Sequence, residues 1–374
     1  MTDSERTSPL HALHEAAGAS FTDFAGWLMP VRYSSDLAEH HAVRSAAGIF
    51  DISHMAEIQV AGADAAEFLD QALAGKLSAI ELFQAKYSLL LNEAGGIIDD
   101  LVVYRNGEQE YLVVANAGNR SAVVAALAER ARAYEHVAVV DRSDEIALIA
   151  VQGPASRAIL QATTGLDVLD ELPSLDEVKY YRATGASFAG GTVFIGRTGY
   201  TGEDGFELYV DEADAVELWT ALVEAGTPLG LVPAGLASRD TLRLEAGMPL
   251  YGHELGPGKL PVQAGLGRIV ALGKPGPFVG RAAVETGPDA DAPVLVALVS
   301  EGRRAGRAGY SVLAGGTVVG EVTSGALSPT LGHPIAMAYV HPDHAEPGTV
   351  LDIDVRGTRI PATVTKLPFY SREK

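Results

Sequence analysis

An apolar run interrupted only by two adjacent carboxylates, Ile97-Ile98-Asp99-Asp100-Leu101-Val102-Val103-Tyr104, predicts a strand with charge in its middle. Neighbours on a strand point to opposite faces, so Ile97, Asp99, Leu101 and Val103 share one face and Ile98, Asp100, Val102 and Tyr104 the other. The turn before it, Asn92-Glu93-Ala94-Gly95-Gly96, has the glycines a tight reversal needs. Period-two alternation returns at Met55, Ile58 and Val60 with Glu57 and Gln59 between, and further strands are expected over 86–91, 110–116 and 145–154.

Helical spacing predicts helices over 9–20, from Asp36 as cap through Arg44, from Asp64 through Leu73, and over 121–133, 216–225 and 234–247. In the last, Arg239 and Arg243 fall on one face at i and i+4, which a solvated charged face explains equally well. Phe21 to Pro30 is aromatic and apolar and reads as ending in a proline break. A linker is expected at 285–293. Beyond it six short β-rich runs alternate with glycine turns, which predicts a small antiparallel barrel or sandwich.

Whichever face of the 97–104 strand is inside, one aspartate lies among aliphatic side chains. There it must be paired, hydrogen-bonded or shifted in pKa. A tandem pair inside an apolar strand points to function more than to a turn end. A second informative stretch is Gly196-Arg197-Thr198-Gly199-Tyr200-Thr201-Gly202-Glu203-Asp204-Gly205-Phe206-Glu207-Leu208-Tyr209-Val210. Its glycines read as a backbone held in tight turns. A phosphate cradle is disfavoured because Glu203 and Asp204 would repel an anion and the P-loop lysine is missing. Glu207 beside aromatics suits a flat, amine-bearing heterocycle, since one carboxylate accepts two parallel N–H bonds; a solvent-facing glutamate on an amphipathic strand fits the spacing as well. Asp51, Ser53 and His54 could suggest a hydrolase triad, but no nucleophile elbow accompanies them, so structural capping by Asp51 and Ser53 is the expected role. His40 and His41 are adjacent and face different ways on a helix, a poor metal pair. Asn116 follows a strand, where capping the next helix is as good a reading as ligand contact.

The 374 residues allow two or three domains. A formal charge of −20 disfavours nucleic-acid and membrane-surface binding, and the absence of cysteine removes thiol nucleophiles, disulfides and cysteine metal sites. The polar start and the lack of a long apolar run make a cytoplasmic protein the expectation. Arg303, Arg304 and Arg307 form the densest basic spot, either a solvated loop or an anion site.

Several stretches together resemble the T-protein family of the glycine cleavage system, the tetrahydrofolate-dependent aminomethyltransferases. They are Asp23-Phe24-Ala25-Gly26-Trp27 with Met29-Pro30, Phe50-Asp51-Ile52-Ser53-His54-Met55, 92–101, 197–208, Arg239 with Leu244-Glu245-Ala246-Gly247-Met248, and 320–329. Ala56 replaces the glycine usual after His-Met, and Met248 stands where some members carry tyrosine.

The resemblance implies an α+β chain of three domains in a cloverleaf around a central folate pocket. These would be a discontinuous first domain (1–53 plus 141–284), an inserted ferredoxin-like domain (54–140) and a C-terminal antiparallel β-barrel (285–374). It implies that Asp100 is the catalytic aspartate, that Glu207 holds the amino-pterin edge, and that Tyr87, Asn116, Tyr200, Arg239 and Met55 line the same pocket, with no metal. The implied donor is the aminomethyl-lipoyl arm of a partner H-protein, met transiently alongside the other glycine cleavage components. The carbon passes to tetrahydrofolate with loss of ammonia, giving 5,10-methylenetetrahydrofolate. Two rivals remain at this stage. One is a related folate-dependent demethylase of a small methylated amine or sulfonium compound. The other is a non-catalytic folate-binding or assembly protein, whose cysteine-bearing motif this chain lacks.

Overall fold

The structure is a computed structural model describing residues 6–372. The chain runs through helix α1 (His11–Ala16), strands β1 (Ser20–Phe24) and β2 (Trp27–Arg32), α2 (Asp36–Ser45), β3 (Ala47–Asp51), β4 (Ala56–Ala61), α3 (Ala65–Ala72), β5 (Ala85–Leu91), β6 (Ile97–Gly107) and β7 (Glu110–Ala115). It continues with α4 (Arg120–Ala131), β8 (Ala138–Asp141), β9 (Ile146–Gln152), α5 (Ser156–Ala162), β10 (Asp167–Val168), β11 (Ala183–Phe188), β12 (Gly191–Gly196), β13 (Gly205–Asp211), α6 (Ala215–Gly226), β14 (Leu231–Pro233) and α7 (Leu236–Glu245). The last part holds α8 (Arg281–Thr286), β15 (Val294–Ser300), β16 (Ser311–Ala314), β17 (Thr317–Leu327), β18 (Pro334–Val340), β19 (Val350–Val355) and β20 (Thr358–Thr365). The backbone falls into two compact units, residues 1–68, 77–86 and 101–240 in the first and 69–76, 87–100 and 241–374 in the second.

The first unit is built on a seven-stranded sheet of order β10-β11-β12-β13-β9-β3-β14, antiparallel except where β14 runs parallel to β3. One face is largely apolar, with Asp51 of β3 and Thr184 of β11 among its polar members. Ile149 and Val151 of β9, Val193 and Ile195 of β12, and Phe206, Leu208 and Val210 of β13 pack with Ile159 and Leu160 of α5 and Leu218, Trp219 and Leu222 of α6. Burying that apolar area is the main favourable term in such a core. The residues between them on β13, Glu207 and Tyr209, therefore face the other way.

A five-stranded sheet follows the order β5-β6-β7-β4-β8. The division between the units falls inside β5, after Lys86, and inside β6, before Leu101.

Three local expectations change. The first helix stops at Ala16 because Gly18 turns left-handed (φ 75°) two residues later. Phe21 to Pro30 belongs to a hairpin, β1 with β2, and Pro30 sits inside β2 because this two-stranded sheet leaves an open edge for a residue with no N–H to donate. The cap of α2 is Ser35, whose hydroxyl accepts from the Ala38 N–H at 3.1 Å; Asp36 lies in the first turn, where its charge complements the helix dipole.

The second unit contains the closed barrel β15-β18-β17-β16-β19-β20. Alternate residues Val296, Leu298, Val312, Val322, Ala336, Ala338, Leu351, Ile353 and Val364 fill its interior. The pairing of β15 with β20 as well as β18 closes the ring and decides between barrel and sandwich. A separate cluster in this unit, Leu89, Leu91, Ile97, Leu255, Val270 and Phe278, buries the start of β6.

Candidate active site

The 197–204 loop is closed by a fork of hydrogen bonds. Arg197 donates through Nε and Nη2 to the two oxygens of Asp204, each at 2.8 Å, and through Nη1 to the Val178 carbonyl at 2.8 Å. Arg44 pairs with Glu203 and donates to the Thr201 carbonyl, so both loop carboxylates are neutralised. Inside the loop lies the buried amide of Gln152, donating to the Thr198 carbonyl at 3.1 Å and accepting from the Thr201 hydroxyl at 3.0 Å. A Cβ on Gly199 would meet Gln152 Oε1 at 2.0 Å, one on Gly205 would meet Gln152 Nε2 at 2.3 Å, and one on Gly196 would meet the Tyr104 hydroxyl at 2.3 Å. Of the four regularly spaced glycines only Gly202 takes a positive φ (81°). The other three are required by close approach rather than by turn geometry.

Thr198 is thereby fixed between two partners. Its hydroxyl donates to Glu207 Oε2 at 2.5 Å and lies 2.6 Å from the Tyr104 hydroxyl. Glu207 is half-buried. Burial pushes its carboxyl above the usual 4.5, against the Thr198 hydrogen bond and the Arg239 charge, which hold it down. Arg239 lies over the Tyr200 ring at 5.0 Å, and burial lowers its pKa against the opposing pull of Glu207 and Tyr200. Its Nη1 is buried with no hydrogen-bond partner among the described residues. His54 is buried beneath the edge of Phe24, ring centroids 5.2 Å apart, and its Nδ1 also has no partner. Burial and the Arg239 charge lower His54 to about 4, with Asp51 opposing, so the imidazole is neutral at physiological pH. Asp51 itself accepts from Ser8, His14 and the Ser53 N–H, the capping role expected of it.

Met55 and Asn116 flank one cross-strand pair, Ala56 with Ala115, and so lie at the same end of their sheet, both half-buried. Asn116 stands at the start of the short helix 117–119 but makes no side-chain cap to it. Arg239 and Arg243 do not form a solvated face. The first is half-buried, and the second is 2 % exposed and donates to the Met248 carbonyl, Glu254 and Ser324.

In the second unit the alternation of β6 separates the two aspartates as expected. Asp99 is fully buried on the face of Ile97, whereas Asp100 is half-buried and accepts from the Tyr87 hydroxyl at 2.9 Å. Burial together with the charges of Asp99 and Asp100 raises the pKa of Tyr251, whose hydroxyl donates to the Ile97 carbonyl at 3.4 Å. Among the described residues no group of three or more histidines, aspartates or glutamates could hold a metal ion. The structure thus joins Glu207, Arg239 and Tyr200 in one unit and Tyr87 with Asp100 in the other. Thr198 and Tyr104, which the spacing does not mark, and His54, marked there only beside Asp51 and Ser53, complete the first group. Both Thr198 and Tyr104 stand in the stretches already singled out, but their partnership spans 94 residues of chain and leaves no local signal.

The chain is an α+β scaffold ending in a closed barrel, with carboxylates set among aromatics. The chain belongs to the glycine cleavage T-protein family: the GCVT N-terminal domain matches residues 10–274 and the glycine cleavage T-protein C-terminal barrel domain matches 294–371. It is 56 % identical to the aminomethyltransferase of Saccharopolyspora erythraea over 99 % of both chains. It is also 56 % identical to that of Cutibacterium acnes, covering 98 % of this chain and 99 % of that one. The crystal structure of the glycine cleavage system aminomethyltransferase T from Bartonella henselae superposes with a TM-score of 0.89 at 38 % identity, covering 98 % of each chain.

Proposed function

We propose that this chain, an aminomethyltransferase of the glycine cleavage system, takes the methylene carbon from the aminomethyl-lipoyl arm of an H-protein and passes it to tetrahydrofolate, with Asp100 as the catalytic carboxylate. The enzyme class rests on identity along the full length of curated relatives, and tetrahydrofolate as co-substrate follows from the resemblance to the family. The observation that carries the site reading is made in each unit by itself: in the first, Glu207 is gripped by Thr198 and Arg239 lies over Tyr200, with Met55 and Asn116 also half-buried, and in the second the half-buried Asp100 accepts from Tyr87.

The donor set fits the folate. Glu207, gripped at Oε2 by Thr198, has the carboxylate chemistry to accept paired N–H groups from an amino-pterin edge. The buried, unpartnered Nη1 of Arg239 is a donor in want of an acceptor, and Tyr200 offers a face for stacking. When bound, tetrahydrofolate supplies the ring nitrogen that receives the carbon. Asp100 sets a negative charge where the reacting centre becomes cationic and accepts the proton that the nitrogen sheds. Tyr87 orients it by donating to Oδ2. Holding the two reactants together is worth roughly 7–11 kcal/mol at best, so placement by the pocket supplies more than one carboxylate does. Three domains at 1–53 with 141–284, 54–140 and 285–374, and a cytoplasmic setting, go with this reading.

The test is an assay with aminomethylated H-protein and tetrahydrofolate, following ammonia and methylenetetrahydrofolate. Asp100→Asn is expected to lower kcat on the order of a hundredfold or more, with the folate Kd changed about threefold at most. A variant with wild-type kcat removes Asp100 from the chemistry. Turnover only with a small methylated amine or sulfonium donor identifies a demethylase instead.

A further inference from the structure

The carboxyl of Glu57 takes no part in the chemistry above, yet it is among the least accessible polar groups in the first unit. It stands on β4 opposite Val114 and is fully buried. Its backbone is tied on both sides, the N–H donating to the Ser143 hydroxyl at 2.9 Å and the carbonyl accepting from the Arg142 N–H at 2.8 Å. Neither carboxylate oxygen has a hydrogen-bond partner among the described residues. The charged and titratable groups that act on it are Arg120 of α4, Asp141 at the end of β8, Asp144 in the following turn and Tyr209 of β13. Arg120 does not serve as its counter-ion, because that guanidinium is already engaged by Asp141 and by both oxygens of Asp144, each at 2.8 Å. An ionised carboxylate left bare in such a place is costly, so the group keeps its proton.

Tyr209 reaches the same interior from β13. It is 4 % exposed, and its hydroxyl, like the Glu57 oxygens, has no partner of good geometry among the described residues. Its ring meets that of Tyr104 edge to face, centroids 5.8 Å apart. From Tyr104 the polar path is continuous through Thr198 to Glu207. The fully buried Glu57 thus acts on Tyr209 at one end, and the half-buried Glu207 ends the hydrogen-bonded path from Tyr104 through Thr198 at the other.

We propose that Glu57 is the inner end of a one-way hydroxyl chain, Glu57–Tyr209–Tyr104–Thr198–Glu207, that holds Thr198 as a donor to Glu207 and leaves Glu207 an acceptor toward its ligand. Burial and the charges of Asp141 and Asp144 hold the Glu57 carboxyl well above the usual carboxylate range, outweighing Arg120, and with both oxygens buried and unpartnered among the described residues the hydroxyl chain requires its protonated, donating form. Given to Tyr209, directly or across one buried water, that proton obliges Tyr209 to donate to Tyr104 and Tyr104 to Thr198. Thr198 then has its hydroxyl hydrogen for Glu207 alone. If Glu57 ionises it can only accept, and the chain runs backward, away from Glu207. Glu57 is a positioning residue. Its effect on binding rests on the reading of Glu207 as the ligand's carboxylate.

The test uses the full-length enzyme with Glu57→Gln, Glu57→Met and Glu207→Ala, titrated with tetrahydrofolate by calorimetry across neutral to alkaline pH. The infrared spectrum of the ligand-free protein is recorded alongside. An amide donates as the acid does, so Glu57→Gln should keep Kd within about twofold, whereas Glu57→Met should raise it about tenfold with kcat at saturation nearly unchanged. Wild-type affinity should fall at alkaline pH, and Glu57→Gln should lack that fall. The infrared spectrum at neutral pH should show a protonated-carboxyl band that Glu57→Gln removes. A band that survives Glu57→Gln overturns the proposal, as does an alkaline limb shared by both proteins, and neither needs the methionine variant to fold. If Glu207→Ala binds as wild type, the assignment of Glu207 falls by itself; if it binds weakly while Glu57→Met binds normally, only the role of Glu57 falls.

Discussion

Single side chains in this protein are sorted by which way they leave a strand. Asp99 and Asp100 are neighbours of the same type, yet one is fully buried and the other half-exposed beside Tyr87. That split was legible from alternation alone, because a period of two permits no other arrangement. Alternation did not say which aspartate faces a ligand; resemblance to the family supplied Asp100. Glu207 was legible as a carboxylate backed by an apolar strand face, but its anchoring was not, since Thr198 and Tyr104 come to it from a loop and from a different sheet. At this scale Glu207→Ala is expected to weaken tetrahydrofolate binding roughly ten- to hundredfold, the range for a charged hydrogen-bonding group lost from a site. Calorimetry checks it, and unchanged affinity would remove Glu207 from the folate contacts.

Elements show the same contrast between local and distant causes. The barrel strands β15, β18 and β19 were legible almost residue for residue from alternation, whereas β17 runs four residues past the expected 317–323 and β20 spans Thr358–Thr365 where 363–367 was expected. The β1–β2 hairpin was not legible, because a proline inside it reads as a break when the open edge that tolerates it cannot be seen. The glycine-rich loop was recognised as constrained, but for the wrong reason at three of its four glycines. Gly196, Gly199 and Gly205 are small because Tyr104 and Gln152 fill the space where side chains would be. Gly199→Ala should therefore cost roughly 1–3 kcal/mol through overpacking against Gln152. Pairing it with Gln152→Ala should give a loss smaller than the sum of the two, measured by urea unfolding. Strict additivity would mean that the contact is not the cause.

For the molecule as a whole, the buried titratable groups oppose one another in pH. His54 falls from 6.5 to about 4 on burial, so between those values the unfolded chain binds the extra proton. Its contribution is complete above pH 6.5 and is lost as the pH falls to 4, a loss of roughly 3 kcal/mol that His54→Gln should abolish in unfolding curves. Glu57 and Glu207 act in the other direction. Their folded values lie above 4.5, so the folded state keeps protons that the unfolded chain releases. The stability they add is complete below 4.5 and declines as the pH rises through their folded values. Equal acid slopes in wild type and His54→Gln would show that the imidazole is not buried as described.

The sheets also differ in how they end. The barrel closes on itself, and the seven-stranded sheet finishes in β10, two residues long, and β14, three residues long with Pro233 as its last. Unpaired backbone at a sheet border is what another chain would use as a template; in the barrel and the seven-stranded sheet it is shut, shortened or blocked by proline, whereas the five-stranded sheet ends in β5, seven residues long. The barrel and the seven-stranded sheet thus offer a crowded second copy of the chain little main chain to add a strand to.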